Sequence, residues 1–137
     1  MLLVDTNVLV DVFEDDPVWA DWSEQQLRAQ SQVHELSINP VIYSEVSLVF
    51  DSVRATDDAL DRLGVTFREV PRAALFLAGR AFVKYRRGGG TKTSVLADFF
   101  IGAHAAVIGC GILTRDGRRY RTHFPRVALV EPKARGR

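Results

Sequence analysis

Cysteine is nearly missing from this sequence. Cys110, the only one among 137 residues, cannot close a disulfide within the chain and has no partner at the spacing of a thiolate metal site. A disulfide scaffold and a zinc ribbon are therefore excluded, and Cys110 is expected to be a small residue in an apolar run. Long hydrophobic runs are lacking too: none approaches the roughly 20 residues of a membrane span. The short apolar stretch at the start is broken by Asp5 and has no basic segment before it, unlike a secretory signal. A cytosolic protein is the expectation. Repeats and low-complexity tracts are also missing. With 47% hydrophobic and 26% charged residues, the chain has enough apolar sequence for a core. It reads as one domain over 1–137, with 130–137 expected to be a mobile basic tail.

Positive charge is scarce in the first half. Residues 1–70 carry four arginines against fourteen acids, whereas 71–137 carry fourteen lysines and arginines against three acids. The net charge of +1 thus hides two opposite poles. Such asymmetry points to nucleic-acid or membrane contact, unless the fold interleaves the halves and neutralises both.

Short, apolar strand signals lie at 2–5, 35–38, 66–70, 111–114 and 127–130, and most are too continuous for a sheet with one wet face. Helical patterns fall between them at 8–14, 18–32, 40–50, 56–63, 72–85 and 95–108. Asn39 followed by Pro40 makes a good helix start, and the triglycine stretch within 86–93 must be a loop between two helices. This alternation predicts an α/β fold with a parallel sheet covered on both faces, and ligands at the carboxyl ends of its strands.

Four acids can be tested against that location. Asp5 ends the first strand signal, and Asp116 follows the fourth by two residues. Glu45 interrupts the apolar face formed by Val41, Ile42, Val46, Leu48 and Val49, so it must emerge at the core's edge or meet a cation. Asp98 lies near the start of its helix. Each has a plainer role alone: Asp5 can cap the next helix, Asp98 can complement the helix dipole, and Asp116 can form a turn with Gly117. Together they make a better site than any one of them. Two unit charges about 4 Å apart repel by roughly 4 kcal/mol at an effective dielectric of 20, so converging carboxylates need a proton or a cation. No cysteine or histidine stands at ligand spacing, and oxygen donors alone select Mg²⁺ or Mn²⁺ over zinc. Such a metal beside a basic surface suits phosphodiester hydrolysis.

The stretches "LLVDTNVLVD", "NPVIYSEV", "LADFFIGAHA" and "LTRDGRRYRTHFP" resemble, in order and spacing, the four acidic blocks of the PIN-domain nucleases, and within them the VapC-type toxins of bacterial toxin–antitoxin pairs. The resemblance spans roughly positions 2 to 130. It implies a three-layer α/β/α domain with a short central parallel sheet of about four or five strands. It further implies a Mg²⁺- or Mn²⁺-dependent endoribonuclease, one or two ions, a homodimer, and a VapB-type antitoxin whose C-terminal segment blocks the site. Asp5, Glu45, Asp98 and Asp116 match the family's acidic quartet as catalytic and metal-binding residues. Asn7, Thr114 and Arg115 match polar positions that support the site or touch substrate, with Arg115 placed to meet an RNA phosphate. Asp11 fits a recurrent acid of the first helix and is expected to be peripheral.

The basic half then acquires a task. Arg86, Arg87 and Lys92 flank the triglycine loop, and Arg118 and Arg119 follow Asp116; all five are candidates for RNA binding. Tyr85 or Tyr120 can stack a base or pack in the core, and Trp19 with Trp22 can form an interface or be partly buried in the monomer. The loop "GGGTKTS" lacks the Gly-Lys pair of a Walker loop and follows a helix. A receiver domain would need adjacent acids after the first strand, and a haloacid-type phosphatase an acid at position 7, which is Asn. The remaining alternative is a non-catalytic RNA-binding or antitoxin-binding module.

Overall fold

The computed structural model describes residues 1–133, so residues 134–137, the end of the expected tail, lie outside the described residues. The apolar opening forms β1 (Leu2–Val4), buried along its whole length at the centre of a five-stranded sheet. The other strands are β2 (Leu36–Ile38), β3 (Thr66–Phe67), β4 (Gly111–Leu113) and β5 (Leu129–Val130). Each expected strand is present but shorter than its expected span. The order is β3-β2-β1-β4-β5 and every pairing is parallel, with Leu2 opposite both Leu36 and Gly111.

Helices α1 (Thr6–Phe13) and α2 (Ala20–Gln30) connect β1 to β2; α3 (Pro40–Val46) and α4 (Val53–Arg62) connect β2 to β3. From β3 the chain returns through α5 (Arg72–Arg87) and α6 (Leu96–Ile108) to β4, on the other side of β1, and α7 (Arg118–His123) leads to β5. The helices flank this sheet in an α/β/α arrangement, as the usual right-handed crossovers of parallel strands dictate, and α3 also meets α6. Helix α1 packs against α2 and α3, and α6 against α5 and α7. No helix among the described residues is long and apolar enough to cross a membrane.

Local chemistry explains the helix boundaries. Asn39 is extended, and its Oδ1 accepts from Ile42 N at 3.0 Å, while Pro40 occupies the first helical position. The apolar arc expected through residue 49 ends sooner. After Val46 the chain tightens into a 3₁₀ turn, Ser47–Val49, which turns Leu48 outward to 86% exposure. Gly109 ends α6 at φ 79°, and Gly102 lets Phe124 approach so closely that a Cβ there would stand 2.3 Å from the ring. Helix α7 is absent from the sequence expectation. Its six residues, with three arginines, are too short and polar to show a period. The tail is also corrected at its start, because Val130 pairs with Leu113 and Glu131 accepts from Arg121.

Candidate active site

The strand order reverses at β1, whose neighbours β2 and β4 are reached by connections running in opposite directions. The crevice beyond the carboxyl ends of β1 and β4 is thus the topological switch point where ligands bind in open α/β sheets. A cavity of about 680 Å³ opens there, lined by Asp5, Glu45, Asp98 and Asp116 together with Lys92, Arg118 and Arg119. The four acids, far apart in sequence, share one cavity.

Asp5 is the best-held of them. It caps α1, with Oδ1 accepting from Thr6 N at 2.8 Å, and the same carboxylate lines the cavity. Its Oδ2 accepts from the Thr114 hydroxyl and from the Tyr120 hydroxyl, each at 2.9 Å. Burial raises its pKa from 3.8 to about 6; the Thr114 and Tyr120 hydrogen bonds pull it down and the Asp98 charge pushes it up. Asp98 is also raised, first by burial, with the Glu45 and Asp116 charges adding to the shift and the Arg119 guanidinium opposing it. Arg119 Nε donates to Asp98 Oδ2 at 3.0 Å. Asp116 is exposed and gripped by a guanidinium fork: Arg118 Nε donates to Oδ1 at 2.9 Å and Nη2 to Oδ2 at 2.7 Å. That fork holds its carboxyl below the ordinary range. Glu45 emerges half-buried at the core's edge and accepts from the Thr6 hydroxyl at 2.6 Å. Of its two expected fates the edge position is observed, with a hydroxyl as partner.

Thr114 and Asn7 brace these groups from below. The Thr114 hydroxyl accepts from Asn7 Nδ2 at 3.3 Å and from Asp116 N at 3.1 Å, while Asn7 Oδ1 accepts from Arg115 N at 3.3 Å. The first helix and the turn after β4 are thereby tied together.

Arg115 does not face the cavity. Its Nε donates to Asp11 at 2.9 and 3.1 Å, and its guanidinium lies 5.6 Å from the centre of the Trp19 ring. Asp11, 2% exposed, also accepts from Ser23 at 2.8 Å. Arg115, expected to meet a substrate phosphate, is held outside the cavity lining by Asp11, the acid expected to be peripheral. Arg86 and Arg87 are likewise outside the lining, with Arg86 over the Phe82 ring at 5.7 Å. Lys92 reaches the cavity because the triglycine loop folds over Tyr85: Lys92 N donates to the Tyr85 hydroxyl at 3.1 Å, and a Cβ on Gly90 would stand 2.3 Å from the ring. Tyr85 packs on Phe99 and His123, and Tyr120 is buried, so neither presents a ring for stacking a base. Trp19 and Trp22 touch edge to face.

The PIN domain profile matches residues 2–127. The chain belongs to the PIN-domain family. Its fold is similar to that of VapBC2 from Rickettsia felis bound to a promoter DNA fragment (14% identity, TM-score 0.74, 96% of this chain and 98% of that one). A toxin–antitoxin complex from Klebsiella pneumoniae is comparable (19% identity, TM-score 0.69, 97% and 98%), as is VapBC-1 from nontypeable Haemophilus influenzae (12%, 0.70, 95% and 96%). No curated protein sequence matches the chain.

In this PIN domain the four acids fit a hard divalent cation by chemistry: they offer carboxylate oxygens, and two of them are raised partly by their neighbours' charge. The geometry adds a condition. Among the described residues no three acidic, His or Cys side chains stand together closely enough to hold an ion as they are, and two of the four acids are occupied by arginines. Arg119 takes Asp98 Oδ2, and Arg118 takes both oxygens of Asp116. Four lining residues were missed by sequence reading: Thr6, Val10, Thr122 and His123. Arg119, Thr122 and His123 follow the i, i+3, i+4 spacing of one helical face, a signal that becomes visible only once α7 is recognised.

Proposed function

We propose that this PIN domain is the ribonuclease toxin of a toxin–antitoxin pair and cleaves RNA with Mg²⁺ or Mn²⁺. The observation that carries the reading is the convergence of Asp5, Glu45, Asp98 and Asp116 on one cavity whose remaining charged lining is basic. Asp5, Asp98 and Asp116 would hold one or two ions, with Glu45 completing the set. A bound ion supplies an activated water and neutralises charge developing on the phosphate. Tyr120 and Thr114 keep Asp5 oriented, and Thr6 does the same for Glu45. Lys92, Arg118 and Arg119 orient the phosphate backbone without reading sequence, while Arg86 and Arg87 extend the basic surface beyond the cavity. Direct hydrolysis by water leaves the 2′-hydroxyl unused, so products carry 5′-phosphate and 3′-hydroxyl ends. By analogy with the VapBC complexes that share its fold, the chain pairs with a VapB-type antitoxin; the resemblance to the VapC-type toxins further implies a homodimer.

The test is incubation of the antitoxin-free protein with total cellular RNA, with Mn²⁺ or Mg²⁺ and with chelator, beside Asp98→Asn. Discrete cleavage with 5′-phosphate ends, abolished by chelator and by the substitution, is expected. The arginines on Asp98 and Asp116 favour one rival, a non-catalytic RNA-binding module, which predicts salt-sensitive RNA binding with no cleavage under any of these conditions.

A further inference from the structure

We infer that Arg119, seconded by Arg118, is an internal counterion that competes with the divalent cation for the acidic site and is released toward substrate when the cation enters. The inference rests on the metal-dependent reading above, and concerns what this chain's own residues do before loading. Four carboxylates around one cavity repel one another, and the fold brings guanidiniums to two of them. Arg119 holds Asp98 by a single Nε contact, with both side chains about one-third exposed at 34% and 36%. Arg118 holds Asp116 by a two-pronged contact at the more open edge, at 81% and 44% exposure. Both arginines lie on α7, in the first turn and next to the cavity. Arg118 takes both oxygens of Asp116 and Arg119 one of the two of Asp98, so a divalent cation entering the cavity contests the Asp116 oxygens directly and meets the Arg119 charge across the Asp98 carboxylate. Side chains this exposed can swing away without moving the backbone. Once freed they still line the cavity, where a phosphodiester offers them two non-bridging anionic oxygens in place of those of the carboxylate they leave. The same arginines thereby stabilise the empty fold and bind substrate in the loaded one.

The measurement is calorimetric titration of Mn²⁺ into the antitoxin-free protein at pH 8, comparing wild type, Arg119→Gln, Arg118→Gln and the double variant, with no RNA present. Exposed ion pairs of this kind shift equilibria by up to about fivefold each. Each single variant should therefore bind Mn²⁺ about two- to fivefold more tightly than wild type. The double variant should bind more tightly than either, and its thermal midpoint should rise further on adding Mn²⁺. A purely structural role predicts the opposite sign, weaker binding by a loosened site. Circular dichroism checks that each variant folds, and Arg118→Gln, on the more exposed side chain, secures the test should Arg119→Gln fail to fold. Wild-type binding with equal or weaker binding in every folded variant overturns the counterion role and leaves the nuclease reading intact. Absence of Mn²⁺ binding in wild type and variants alike overturns the metal-dependent reading itself, and this inference with it.

Discussion

Asp5→Asn should make the cation-free protein more stable at neutral and alkaline pH. Asp5 is 6% exposed, and its carboxyl is raised from 3.8 to about 6 chiefly by burial. A group whose folded pKa lies above its unfolded value contributes stability that is present at low pH and lost as pH rises through the folded value. Wild type therefore loses stability between about pH 4 and pH 6, and the shift from 3.8 to about 6 corresponds to about 3 kcal/mol at full ionisation. Asn keeps the carbonyl oxygen that accepts from Thr6 N, and the Tyr120 hydroxyl can turn to accept from its amide, whereas the Thr114 hydroxyl already accepts from Asn7 Nδ2 and Asp116 N and must give up one of them to do so. Imperfect re-pairing offsets part of the gain, leaving roughly 1 to 3 kcal/mol. At this chain length that is a rise of roughly 3 to 10 °C in thermal midpoint at pH 8. The assay is thermal unfolding of both proteins from pH 4 to pH 8 in chelator, with RNA cleavage measured in parallel. The stability difference should be near zero at pH 4 and grow with pH, and the more stable variant should be inactive, since stability and a charged site oppose each other. A difference independent of pH, or a variant less stable at pH 8, would refute the reasoning.

Other outcomes follow from the same geometry. Arg115→Gln should destabilise the fold by about 3 kcal/mol because it strands the buried Asp11 carboxylate with Ser23 alone, whereas Asp11→Asn should cost about 1 kcal/mol because Arg115 is one-third exposed and can reach water; urea denaturation ranks the two. Gly90→Ala should drive the loop off Tyr85 and move Lys92 from the cavity, weakening binding of a single-stranded RNA severalfold at low salt with little change in thermal midpoint. Gly102→Ala should cost about 1 to 3 kcal/mol, read by chemical denaturation, since the new methyl meets the Phe124 ring and must push it aside.

The sequence alone determined the sheet and the set of acids. Leu2–Val4, Leu36–Ile38 and Gly111–Leu113 are short runs without polar alternation, which suits strands covered on both faces, and Asn39-Pro40 marks a helix start by local chemistry. Asp5 and Asp116 could be placed at strand ends because a carboxylate that closes a buried apolar run must lie where the strand leaves the core. Partner choice was decided by the tertiary structure alone. Arg115 and Arg119 are two arginines of one basic stretch, yet one turns to Asp11 on α1 and the other to Asp98 on α6, and only the tertiary structure separates them. Tyr120 was equally open, an aromatic in a basic run until α7 carries its hydroxyl to Asp5. A side chain's period and composition reveal which face it favours. Which charge it meets depends on chain segments far away in sequence, and those distances exist only once the sheet has closed.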